Sequence, residues 1–312
     1  SVFMGGDIAK RMPLEAKKFA KIDKDWLKIM ARAAESRIVV ACCSNELLRN
    51  TLPVLYAELE KCQKSLEGYL EQKRNRFPRF YFVSNPVLLA ILSQGSDPLQ
   101  MQTYYEKVFD SISRVVHDRA DKTTIKAILN QAGSDEEVIE LRQVVKAVGN
   151  IEEWLGAIEK EMQMSLKALC EKVAQQCTSL PLREFVDGAC GQFALLGLQL
   201  SWTEAGQEAL EKNRTSKTIM TDTNKKQLSV LQELSSWCLT DLGSSMNRRK
   251  IETLVTIQVH QRDVWNDLTR LYKEKKGLDA NDFEWLKQAR FYWRGDLDQN
   301  DAQGEGVAQV GS

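Results

Sequence analysis

Apolar residues recur along most of this chain at spacings of three and four, the period of a helix with one buried stripe. Leu48, Leu52, Leu55, Leu59, Cys62, Leu66 and Tyr69 form one such seam. A second runs from Ile151 through Trp154, Leu155, Ile158, Met162, Leu166, Leu169 and Val173 to Cys177, and Pro181 ends it. Trp26 to about Val40 predicts an earlier helix, and residues 1–25, broken by Gly5, Gly6 and Pro13, predict a loop with short helical pieces. Further helices are predicted over Phe193 to Trp202, Leu228 to Leu242, Asn247 to Gly277 and Asn281 to Ala289. Pro53 predicts either a helix start near Thr51 or a kink.

One stretch departs from this period. Phe77 to Pro86, FPRFYFVSNP, combines aromatic and β-branched residues with Pro78, and reads as an extended insert between helices. Phe77, Pro78, Arg79, Phe80, Tyr81 and Phe82 are therefore the candidate packing junction or hinge. Ile125–Leu129 and Val138–Val145, either side of Gly133-Ser134-Asp135, predict a hairpin that pairs with it. Phe291-Tyr292-Trp293 repeats the strand-like character near the far end, and the Gly-, Asp- and Gln-rich residues 294–312 predict disorder. The fold class is mainly α with a small β element within 77–149. The expected divisions are a helical block over 1–76, a junction over 77–149, a second block over 150–293 and the tail.

Composition removes several functions. Lys plus Arg equals Asp plus Glu at 43 each, so no overall field draws the chain to nucleic acid or an anionic membrane. The trio Arg248-Arg249-Lys250 reads as a solvated helix start. No apolar run reaches the roughly 20 residues of a membrane span. Seven cysteines, without a CxxC pair, read as reduced thiols packed as small hydrophobes in an intracellular protein. Asn213-Arg214-Thr215 is then a chance sequon. No GxxxxGK[ST] occurs, and the two histidines, His117 and His260, have no ligand partners at metal-binding spacing. No cofactor or metal is expected in this chain. The densest polar cluster is His260-Gln261-Arg262-Asp263, where adjacent Arg262 and Asp263 point about 100° apart and suit separate partners. An acid–base role there is the sharp reading, and helix-to-helix pairing the bland, preferred one. Seven tryptophans read as packing anchors whose indole N–H groups need acceptors.

The wording of several segments resembles a known family. KRNRFPRFYFVSNPVLLAILSQ (73–94), GNIEEWL (149–155), QFALLGLQLSWT (192–203), IETLVTIQVHQRDVWNDL (251–268) and DFEWLKQARFYW (282–293) are similar, in this order, to the linker of dynein heavy chains. The opening DIAKRMPLEAKKFAKIDKDWLKIM looks most like axonemal chains of the outer-arm gamma type. Residues 128–137 depart from the family pattern in a longer, more acidic turn, which puts the contacts made there in doubt. The resemblance implies an elongated helical lever that arches over the AAA+ ring of the same heavy chain and delivers the power stroke, in the cytoplasm of a ciliary or flagellar axoneme. It implies that ATP and Mg lie in that ring, beyond this sequence, that microtubules and other dynein chains are indirect partners, and that this segment is monomeric. It marks His260, Gln261, Arg262, Asp263, Trp285, Arg290, Phe291, Tyr292 and Trp293 as candidate anchors to the ring. The start without Met is expected of a piece of a longer chain. The alternative reading is a helical adaptor that dimerises through the 48–69 seam.

Overall fold

The computed structural model describes residues 6–95, 97–132, 135–275, 277–295 and 309–311. The chain is mainly α, with one three-stranded antiparallel sheet and one two-stranded sheet. Contacts group it into two compact units, residues 1–130 with 138–161, and residues 131–137 with 162–312. Residues 77–149, read from the sequence as a junction between two helical blocks, lie in the first unit except for 131–137, which group with the second. The buried aromatic residues of this stretch pack on one another, Phe77 on Phe80 and Phe109, and Tyr105 on Phe109.

The first unit opens with α1 (Gly6–Arg11) and α2 (Pro13–Ser36). Where short helical pieces were expected, one long helix starts at Pro13, because a proline at the first helical position has no amide to leave unpaired. Arg37, at φ 51°, ends α2 in a left-handed cap, four residues' worth of sequence before the expected stop at Val40. The short α3 (Val39–Cys43) leads to α4 (Glu46–Arg76). Asn45 starts α4 earlier than predicted, since its side chain accepts the amides of Leu47 at 2.9 Å and Leu48 at 3.4 Å. Pro53 is absorbed inside the helix.

FPRFYF is not a strand. Pro78–Phe82 forms a 3₁₀ turn after Phe77 caps α4. Phe80 N–H donates to the Phe77 carbonyl at 3.0 Å, and Val83 N–H to the Phe80 carbonyl at 3.2 Å. The burial explains the outcome: Phe77, Phe80 and Val83 are 2%, 0% and 5% exposed, while Tyr81 and Phe82 are open. A period of three matches the eclipsed side chains of a 3₁₀ turn, and not the period of two that a strand requires. Phe77 and Phe80 meet edge to face at 5.0 Å, and Phe109 joins Phe77 at 6.4 Å. Next come α5 (Asn85–Gln94), with Pro86 in its first turn, and α6 (Tyr105–Val108).

The predicted hairpin is present as β2 (Thr124–Ala132) and β3 (Asp135–Lys146); residues 133 and 134 of its turn lie outside the described residues. Its third strand is β1 (Arg114–His117) in place of FPRFYF, with Val115 opposite Ile128. The β1–β2 turn is held by Asp121, which accepts the amide and hydroxyl of Thr123 and the hydroxyl of Thr124, so its carboxyl lies well below the usual range.

Helix α7 (Ile151–Ser179) starts in the first unit and continues into the second. There follow α8 (Leu182–Gly188), α9 (Gly191–Lys212), α10 (Ile219–Trp237), α11 (Ser245–Lys275) and the short α12 (Phe283–Leu286). One core cluster gathers Phe185, Phe193, Leu234 and Ile251, and another gathers Trp202, Trp265 and Trp285. Strand β4 (Arg290–Tyr292) pairs antiparallel with β5 (Gln309–Gly311). The last part of the tail expected to be disordered is therefore a strand, since the free edge of β4 gives its backbone groups partners. Residues 296–308 of that tail lie outside the described residues.

Truncation of Phe80 to alanine is expected to lower unfolding stability by about 3–5 kcal/mol, the scale of a buried Phe. The same change at Phe82, 78% exposed, is expected to stay within about 0.5 kcal/mol. Denaturant unfolding of both variants checks the period of three directly.

Candidate functional site

The junction is built on charge as well as on rings. Lys73, in the last turn of α4, pairs with Glu152, in the first turn of α7, and their side chains are 8% and 1% exposed. Arg76 approaches the same carboxylate oxygen at 3.5 Å, while Glu152 Oε2 is buried without a hydrogen-bond partner. Each charge suits its helix end, the cation at a C-terminus and the anion at an N-terminus. About two turns further along α7, Glu159 accepts a 2.7 Å hydrogen bond from Arg79 Nε, and the Arg79 guanidinium lies over the Phe109 ring at 4.9 Å. Of the candidate junction residues, Phe77 and Phe80 are core and Pro78 opens the 3₁₀ turn. Arg79 is the ion-pair arm, Tyr81 donates its hydroxyl to Glu71 at 2.5 Å, and Phe82 is open. Sequence reasoning missed Lys73, Glu152 and Glu159. Their signal was present in the charged last turn KRNR and in the carboxylates that open GNIEEWL.

In the second unit the acidic turn has a structural use. Asp135 Oδ2 accepts the Ser245 hydroxyl at 2.6 Å and the Met246 amide at 2.8 Å, capping α11, and Glu137 accepts the Gly191 amide at 2.7 Å, capping α9. These contacts come from the segment that departs from the family pattern.

The predicted anchors divide into buried and open groups. Trp285 and Trp265 are fully buried, with Trp202 5.1 Å and Trp265 6.2 Å from the Trp285 ring. Trp285 donates its indole N–H to Gln207 at 3.0 Å, and Trp265 to the Met220 carbonyl at 3.1 Å. Trp285 is thus a core residue and presents nothing outward. Its seat requires Gly206, where a Cβ would stand 2.5 Å from the ring. Gln261 is buried too, and His260 is exposed. Among the described residues Arg262 and Asp263 pair with each other in place of separate partners: Arg262 donates to Asp263 at 2.9 and 2.6 Å, its long stem folded back onto the neighbouring carboxylate.

Arg290 is buried, its guanidinium over Trp285 and Tyr292 and bonded to the Tyr292 hydroxyl at 2.9 Å. The Phe291 amide donates to Thr203 Oγ1 at 3.0 Å, which fixes β4 on α9. Phe291, Tyr292 and Trp293 then line a groove of about 440 Å³ with Cys177, Glu204 and Glu208. Burial pushes the Cys177 thiol up, and the Glu204 carboxylate adds to the rise. Among the described residues, no group of His, Cys, Asp and Glu is placed to hold a metal ion, and no helix is long and apolar enough to cross a membrane.

The likeness seen in the separate segments extends over almost all of the chain. Residues 1–173 match the family described as "Dynein heavy chain, N-terminal region 2". The chain belongs to the dynein heavy chains, and within them to the axonemal branch. It is 46% identical over 303 residues to "Dynein axonemal heavy chain 5" of Rattus norvegicus. It is 44% identical over 302 residues to "Dynein axonemal heavy chain 8" of Homo sapiens, and 41% over 300 to "Dynein gamma chain, flagellar outer arm" of Chlamydomonas reinhardtii. Each alignment covers 96% of this chain, yet the chain spans only 8%, 6% and 6% of the respective relatives. Its location is axonemal, in line with these relatives. The match assigns residues 1–173 to an N-terminal region of the heavy chain, a coarser placement than the linker.

Replacement of Gly206 by alanine is expected to force Trp285 out of its seat and lower stability by about 1–3 kcal/mol. Thermal unfolding, with near-ultraviolet circular dichroism to follow the tryptophans, checks this.

Proposed function

We propose that this chain is part of the mechanical linker of an axonemal dynein heavy chain, which turns nucleotide-driven changes of an AAA+ ring into a power stroke along microtubules. The observation that carries the reading is the ordered set of linker-like segments from FPRFYF to ARFYW, in a chain aligned to heavy chains over 96% of its length. The structure is consistent with a lever. A member that transmits force needs long helices with locked ends, and α4 and α7, of 31 and 29 residues, meet in a joint of buried rings and buried charge. The chain has no phosphate-binding loop in its sequence, so ATP and Mg belong to the ring of the same heavy chain, and dynein subunits and microtubules are partners of the whole motor. The open aromatic groove formed by Phe291, Tyr292 and Trp293 is the favoured anchor toward that ring, with His260 a lesser one.

A second reading, a helical adaptor, draws on the exposure of Leu52 and Leu59 within the 48–69 seam. The two readings part in a motor assay. A heavy-chain motor carrying Glu152→Gln is expected to keep its ring ATPase and to glide microtubules several-fold more slowly. Undiminished gliding speed, with the variant folded, would contradict the lever.

A further inference from the structure

Helix α2 is 24 residues long and has no buried residue, and the same is true of α3. The buried residues of α4 are Cys62, Leu70 and Lys73, all in its C-terminal half. The first half of α4 and all of α2 therefore rest on little more than each other. Their large apolar side chains face solvent: Trp26 is 47% exposed, Met30 48%, Leu52 37%, Tyr56 64% and Leu59 41%. Between the helices runs a groove of about 310 Å³, lined by Phe19, Ile22, Trp26, Leu52, Leu55 and Tyr56, with Asp23 its one charged group. A contiguous apolar surface of this kind marks an interaction site, and a helix without buried contacts is marginal in water.

We propose that this groove seats a further amphipathic helix of the same heavy chain, from outside these 312 residues, completing a three-helix bundle with α2 and α4. Three observations select that occupant. The groove walls are apolar at spacings of three and four on both sides, which accepts a helix and not an extended segment. The relatives are more than ten times longer than this chain, since it spans 6–8% of them, so covering helices are available in the same polypeptide. A segment of the same polypeptide meets the groove intramolecularly, without the dilution that a second copy faces. The inference rests on membership of a long heavy chain and is independent of the lever stroke.

Hydrogen exchange of residues 13–36 tests it, compared between the 312-residue chain and the intact axonemal heavy chain. The expected result is fast exchange in the former and about a hundredfold slower exchange in the latter. Equal exchange in both would overturn the proposal. Tyr56→Glu keeps the test sharp. It is expected to leave the melting temperature of the 312-residue chain unchanged and to abolish the added protection in the heavy chain; full protection despite the charge counts against the proposal. Protection that instead appears in the 312-residue chain as its concentration rises, with sedimentation as a dimer, would overturn it in favour of a second copy. A motor that fails in gliding yet protects α2 sinks the lever and leaves this inference standing.

Discussion

A lysine and a glutamate removed from water hold the first unit together. Lys73 and Glu152 lie 79 positions apart in sequence, and their pairing fixes the last turn of α4 against the first turn of α7. Desolvating two such charges is expensive, so the pair adds little net stability over two well-packed apolar side chains. Its value is in geometry. An uncompensated buried charge is strongly unfavourable, which favours arrangements that bring the two helix ends together, and the helix dipoles, Arg76 and the Arg79–Glu159 pair favour the same arrangement.

The aromatic packing follows from that constraint. With α4 ended at Phe77, the 3₁₀ turn places Phe77 and Phe80 on one side, where Phe109 closes over them and receives the Arg79 guanidinium. In the second unit a comparable cluster needs no buried ion pair. Trp202, Trp265 and Trp285 interlock because Gly206 leaves room, and two of the indoles find acceptors in Gln207 and the Met220 carbonyl. From that cluster β4 emerges, tied to α9 through Thr203, and its aromatic residues remain open to a partner. Charge fixes the first unit, and shape the second.

How far this was legible in the amino-acid sequence varied with the physics. The long helices were readable because a buried stripe imposes a period of three to four on many residues, as in 151–177. The hairpin was readable from β-branched runs. FPRFYF misled because aromatic side chains favour extended backbone on average, whereas here a proline and two backbone hydrogen bonds tightened the chain, and burial selected every third residue. Lys73 and Glu152 went unnoticed, since burial of a charge leaves no local mark in the sequence. Trp285 was read with the other tryptophans as a packing anchor and, through the family likeness, as an anchor to the ring; it is buried, with its indole N–H on Gln207. Asp135 and Glu137 appeared only as an acidic turn, because the amides they cap lie more than fifty residues away. The family likeness, by contrast, was carried by words such as FPRFYF and GNIEEWL, and these include both halves of the joint.

The most direct test of the joint is a double-mutant cycle of Lys73→Met and Glu152→Gln by denaturant unfolding of the 312-residue chain. Each single change is expected to lower stability by about 3–5 kcal/mol, because each strands a buried group. The double variant is expected to lose at least about 2 kcal/mol less than the sum, the signature of direct coupling. Additive losses, within about 0.5 kcal/mol, would show that the two charges do not act as a pair and would contradict this account of the joint.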